Sequence, residues 1–191
     1  MVSDTDRRRS AVDLPYLCAV LCAALAAVVG WTDLILVVPG WVLPHWVVAG
    51  FLLLPAAAAG RVLLRRRPAP DRAGWKWAVL ALSALAALAG TAFGGLGDLW
   101  AEYRVLEPAG PDGCRAVVRE TAFLMGGSGD LYAAKGMGLA FRSSSWMTDD
   151  GIRPVAAGRY ELRWGPDDGA LTLHGREGDP VQPALHEVDC R

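Results

Sequence analysis

Long uncharged runs dominate the first half of the chain, and a two-residue alternation takes over in the second. Residues 14–30, LPYLCAVLCAALAAVVG, carry no charge. Residues 34–60 carry none when His45 is neutral, and a third run covers 77–97. A helix that crosses a bilayer needs about 20 mainly apolar residues, and each region can supply one. Helices of a soluble core would show a polar stripe every 3.6 residues, and these runs show none. The pattern predicts three transmembrane helices near 14–32, 44–64 and 76–96. A charged Asp33 at the bilayer centre would cost about 3 kcal/mol, so it belongs near an interface, with 33–43 an outer turn or a shallow re-entrant stretch. Pro55 would kink the second span, and Arg61 would reach back to the headgroups. Trp31, Trp41 and Trp46 group at one expected interface, Trp75 and Trp77 at the other, as amphipathic rings prefer. In the third run Ala86, Gly90 and Gly94 recur every four residues, a face for close approach of the chain's own spans or of a second copy.

From residue 98 the grammar changes. RYELRW (159–164) alternates strictly, with Tyr160, Leu162 and Trp164 on one face. GPDDG follows as turn chemistry, and ALTLHG places Leu171 and Leu173 on one face, so the pattern predicts a β-hairpin. CRAVVRETAFLM (114–125) reads as a strand ending at a tight turn, GGSGD, and LYAAKG and GLAFRSSSW as short strands. Residues 142–158, RSSSWMTDDGIRPVAAG, read as the longest irregular loop. The expected domain is mainly β, an antiparallel sheet, sandwich or barrel-like fold of five to seven strands. The organisation is then a tail (1–13), a three-helix membrane region (14–97) with an Arg-rich loop at 65–75, and a small soluble domain (98–191).

Charge decides orientation. Residues 1–97 hold nine Lys/Arg against five Asp/Glu, and residues 98–191 ten against fifteen. Arg7, Arg8 and Arg9 precede the first run; Arg61, Arg65, Arg66, Arg67, Arg72 and Lys76 lie between the second and third, and the stretch after the first has none. Basic loops stay in the cytoplasm, which predicts a multi-pass protein of the cytoplasmic membrane of a bacterial cell envelope, N-terminus inside and residues 98–191 outside. RRRS before an apolar run could also open a cleavable signal of the twin-arginine kind; the later spans favour a retained anchor. An acidic soluble half and a basic cluster between apolar runs argue against nucleic-acid binding.

Outside the membrane, oxidising conditions favour a disulfide between Cys114 and Cys190. Cys18 and Cys22 share a helix face, where small apolar thiols suit a bilayer. His174 should face solvent at the end of its strand, and His186 should pack in the tail beside Glu187. Two histidines on different elements make no metal motif, and the Asp149-Asp150-Gly151 and Asp167-Asp168-Gly169 triplets lack the alternating oxygens of a calcium loop. No cofactor or metal is expected. Trp146, with Asp149 and Asp150 beside it in the long loop, is the expected ligand-binding position. The function expected is display of a disulfide-closed domain that binds a protein, peptide or envelope component without catalysis, with the bilayer as first partner. Two alternatives are an exported hydrolase using His186 with Glu187 or the Asp149/Asp150 pair, and an accessory subunit of a larger membrane complex.

Overall fold

The structure, a computed structural model, describes residues 4–66, 74–136, 138–149, 151–178 and 181–190. Arg67, Pro68, Pro70 and Arg72 of the predicted cytoplasmic loop lie outside the described residues, as do the side chains of Arg7, Arg8, Arg9 and Arg66. The chain divides into two compact units: a helical one up to Thr32 together with His45–Gly95, and a β one of Asp33–Pro44 together with the chain from Leu96 onward.

The helical unit contains α1 (Asp4–Gly30), α2 (His45–Arg66) and α3 (Gly74–Gly97). Its packing is inverted relative to a water-soluble bundle. The buried positions are small, among them Ala19, Ala23, Ala26, Ala49 and Ala87, whereas Leu21, Leu25, Phe51, Leu54, Leu82 and Leu85 are all more than half exposed. The predicted small-residue face of α3 is used inside the chain. A Cβ on Gly90 would stand 3.0 Å from the Gly30 backbone, and one on Gly94 2.7 Å from His45 Nε2. The Trp31 indole N–H donates to the Ala86 carbonyl across 3.0 Å. Among the described residues two helices, rather than three, are long and apolar enough to cross a membrane, over His45–Arg65 and Gly74–Gly97. The apolar part of α1, Leu14–Gly30, is shorter: at 1.5 Å per residue it extends about 25 Å, short of a hydrocarbon core of about 30 Å.

The β unit is mainly antiparallel. Its larger sheet runs β2 (Trp41–Pro44), β1 (Leu34–Val38), β6 (Gly138–Asp149), β5 (Gly126–Lys135), β4 (Cys114–Phe123), β3 (Glu102–Val105), with β9 (Val181–Gln182) paired to β6. A three-stranded sheet of β10 (Leu185–Val188), β8 (Gly169–Leu173) and β7 (Tyr160–Trp164) accompanies it. The larger sheet is nearly closed and barrel-like. Ile35 and Val37 from β1, Val42 from β2 and Tyr103 and Val105 from β3 share one core with Val117, Tyr132, Ala134 and Ala140. The other face carries a second core, where Ala116, Val118, Leu131 and Trp146 meet Leu171, Leu173 and Val188 of the smaller sheet. The predicted 159–173 hairpin forms, pairing Leu162 with Leu171 and Trp164 with Gly169.

Three expectations are corrected. The stretch 33–43 is neither a bare turn nor re-entrant: β1 and β2 form a hairpin, and β1 pairs with β6, Ile35 opposite Ala140. Branched Ile and Val residues around Pro39-Gly40 suit a strand pair, and one face of β1 is buried. GGSGD is not a turn but the start of β5, opposite β6. Its Gly129 faces Trp146, and any Cβ there would overlap the indole. The turn lies two residues earlier, at Leu124-Met125, between the paired Phe123 and Gly126. Leu124 adopts φ 53°, a left-handed conformation that costs a bulky L-residue about 1–2 kcal/mol. Finally, 142–149 is strand rather than loop. A register shift falls between Leu131 and Tyr132, which pair with Ser144 and Arg142 and leave Ser143 unmatched. Such a bulge reverses the facing of everything beyond it. Ala140 accordingly faces one core and Trp146 the other.

Candidate functional site

Trp146 is 2% exposed, so it cannot be the surface anchor the sequence suggested; its ring fills the space Gly129 leaves. Among the described residues its buried Nε1 has no hydrogen-bond partner. Asp149 is exposed at the end of β6, and Asp150 lies outside the described residues. Trp146 and Asp149 therefore share no surface. Beside Trp146 lies His186, with ring centroids 5.2 Å apart. The imidazole is buried, its Nδ1 2.9 Å from Ser144 Oγ and its Nε2 3.0 Å from the Pro183 carbonyl oxygen. Burial lowers its pKa, against an opposing contribution from that carbonyl. A recess lined by Trp164, Asp168, Leu185, His186 and Glu187 passes nearby, but both ring nitrogens are already engaged within the fold. His174 is exposed, and Asp167 and Asp168 occupy the β7–β8 turn.

Glu120 is the buried group that sequence reasoning missed. It is 1% exposed, and its carboxylate oxygens accept from the backbone N–H of Val155 at 2.8 Å and of Ala156 at 2.7 Å. Burial raises its pKa while those two bonds pull it down, and burial prevails. Its role is to pin the 151–158 turn to the sheet. A signal existed: Glu120 shares parity with Cys114, Ala116 and Val118, all buried.

A second group, also unforeseen, crosses the larger sheet strand by strand. Asp33, just before β1, meets Arg142 of β6 at 2.8 Å. Arg142 reaches Asp130 of β5 at 3.5 Å, and Asp130 meets Arg119 of β4 at 3.0 Å. Arg119 donates to Asp98 at 2.7 Å and to the Gly97 carbonyl at 2.8 Å, and Tyr103 of β3 donates to Asp98 at 2.8 Å. Signs alternate along the row. Burial alone would make Arg119 easier to deprotonate, but the bonds and charges of Asp98, with Asp130 behind, hold it charged. Burial, and then Asp98, raise the Tyr103 pKa far above the usual phenol range.

The surface best suited to a ligand lies where β6 passes the disulfide. Cys114 and Cys190 are bonded, with Cα atoms 5.8 Å apart, as the sequence predicts. Beside Cys190 a recess of about 330 Å³ is lined by Ala133, Lys135, Leu139, Phe141, Arg142, Ser143 and Asp189. Leu139 and Phe141 are 55% and 64% exposed, apolar anchors with a charged rim. The signal was the run GLAF, apolar on both parities, which demands either two covered faces or an exposed patch. Comparison with protein-family models, with curated proteins and with solved structures finds no match to this chain.

Proposed function

We propose that the chain is a bilayer-anchored binding protein of the cell envelope, with its N-terminus in the cytoplasm and its disulfide-closed β unit outside. Its ligand is a protein or peptide segment, held without catalysis. Anchoring is supported by the inverted packing of the helical unit. Outward Leu and Phe over an Ala/Gly interior suit lipid, where close backbone approach rather than burial of large side chains holds helices together. Chain logic supports the crossings. Asp33–Pro44 and the chain from Leu96 fold into one sheet, so α2 and α3 must either both cross or both remain. Their apolar length favours crossing, and α1, with Trp31 and Thr32 extending its apolar stretch, makes a third span. Basic residues between α2 and α3 then favour export of the β unit, and a bonded Cys114–Cys190 pair suits that compartment.

The single observation that carries the ligand reading is the pair of exposed anchors, Leu139 and Phe141, beside a recess rimmed by Lys135, Arg142 and Asp189. Aromatic anchors seated in pockets dominate protein recognition. Two measurements on the full chain test the reading. A photo-crosslinking residue at position 141 in intact cells should give a discrete adduct that Leu139→Asp removes and that the same residue at exposed Glu161 does not give; no adduct at 141 refutes the ligand surface. A reporter active only outside the cytoplasm, fused after Arg191, should be active; an inactive one refutes the topology.

A further inference from the structure

The β4–β5 hairpin ends in an apolar tip that the ligand recess does not use. Phe123, Leu124 and Met125 are 63%, 85% and 78% exposed. They are joined by Leu99 and Trp100, 61% and 55% exposed, and the Trp100 and Phe123 rings lie 5.5 Å apart. Five large apolar side chains from two segments thus form one patch. The turn chemistry is also misplaced for water. A two-residue hairpin turn with a left-handed position normally takes Gly, Asn or Asp there, yet Leu124 holds it at φ 53°. A bulky apolar residue kept at a strained, fully presented tip points to a function for its side chain.

Chain continuity names the occupant. Trp100 follows the last residue of α3, Gly97, by three positions, so the backbone keeps it within about 11 Å of the helix end. Where α3 leaves the hydrocarbon, the next aromatic ring lies at headgroup depth, and Trp prefers that depth. Phe123, in ring contact with Trp100, brings the hairpin tip to the same level. We propose that Leu99, Trp100, Phe123, Leu124 and Met125 form a wedge that dips into the outer leaflet of the bilayer holding α3 and so docks the β unit on the lipid surface. This rests on the membrane reading given above, and the two fail in different ways.

The test uses the full chain in liposomes, with Cys18 and Cys22 replaced by alanine and a polarity-sensitive fluorophore on Leu124→Cys. A second protein carries the fluorophore on Leu85→Cys in the middle of α3. The wedge predicts blue-shifted emission at position 124 that nitroxide lipids labelled near the headgroup quench. Quenching at 85 with water-like emission at 124 overturns the wedge and leaves the span intact. Blue-shifted emission at 124 that lipid nitroxides do not touch means protein covers the tip, and also overturns it. Water-like emission at both sites overturns the membrane reading, and the wedge with it. A further variant, Leu124→Asn, relieves the left-handed backbone. It should keep the fold, with an unchanged or higher Tm in detergent, and reduce lipid quenching of a fluorophore at Met125→Cys; unchanged quenching overturns the contribution of Leu124.

Discussion

Reducing the Cys114–Cys190 bond should lower the unfolding midpoint of the β unit by about 20 °C. The bond joins the first residue of β4 to a residue two beyond β10, across a sequence separation of 76. Closing a loop of that size removes about 15 cal/mol/K from the unfolded chain, roughly 4.5 kcal/mol at 25 °C. The unit has about 110 residues, whose unfolding entropy is near 0.23 kcal/mol/K; the quotient is the predicted shift. A local effect adds to the global one. Among the described residues β10 is an edge strand paired only with β8, yet it carries the buried His186 and Val188. Without the bond this strand can fray alone, and Trp146, whose ring abuts His186, would report it first.

The assay is thermal unfolding of the full chain in nanodiscs, with and without a phosphine reductant, followed by tryptophan fluorescence. A Cys114→Ala/Cys190→Ala variant checks that the reductant acts through this bond, and Cys18→Ala/Cys22→Ala removes the thiols of α1. A shift under about 5 °C, with an unaltered Trp146 signal, would refute the reasoning: packing of the tail, not the bond, would then hold it.

Arg119→Met leaves Asp98, whose side chain is only 4% exposed, without its guanidinium, and should cost about 3–5 kcal/mol; chemical denaturation of the β unit measures it, and a loss below 1 kcal/mol contradicts the charge row. Gly129→Ala drives a methyl into the Trp146 ring and should cost about 1–3 kcal/mol as overpacking, with a shift in indole emission. His186 has a folded pKa below the ordinary 6.5, so the unfolded chain takes the proton first as pH falls. Its contribution is flat above about pH 6.5 and declines on acidification, and His186→Leu should remove that slope. Glu120, with a raised pKa, acts in the opposite sense, its contribution declining as pH rises through the ordinary carboxyl value, so the difference between wild type and His186→Leu isolates the imidazole.

Elements governed by one period were legible. The α2 and α3 helices and the 160–173 hairpin each follow a single rule along their length, and the apolar runs and the two-residue alternation located them. Two kinds of element escaped. Residues 34–44 are as apolar as a membrane segment, and a hydropathy sum does not distinguish the two uses; what makes them strands is a partner, β6, a hundred positions away. The segment around Ser143 escaped because its run of small polar residues reads as loop, whereas it continues a strand. In the fold it continues β6 through a one-residue bulge, which makes Trp146 a core residue. The proposed ligand surface was the hardest to read, since the loop reading that exposed Trp146 also left Leu139 and Phe141, on the strand before it, unremarked.

The charge row shows why the β unit needs Asp33–Pro44 as well as the chain from Leu96. In sequence, Asp33 and Asp98 each stand just beyond an apolar helix, and each reads as a marker of where the apolar run ends. In the fold both are needed twice. A chain leaving an apolar unit requires a polar residue, and a strand joining a sheet requires a partner that sets its register. Aspartates at both points, with Arg142 and Arg119 on strands between them and Asp130 in the middle, meet the two demands with one set of side chains. The β unit is therefore not the fragment 98–191. Without Asp33–Pro44, β6 loses its β1 neighbour along residues 138–141, keeping only β5 at 140–141, beside the surface formed by Leu139 and Phe141, and Arg142 loses one carboxylate. A ligand that needs that surface needs the short connection between α1 and α2 to build it.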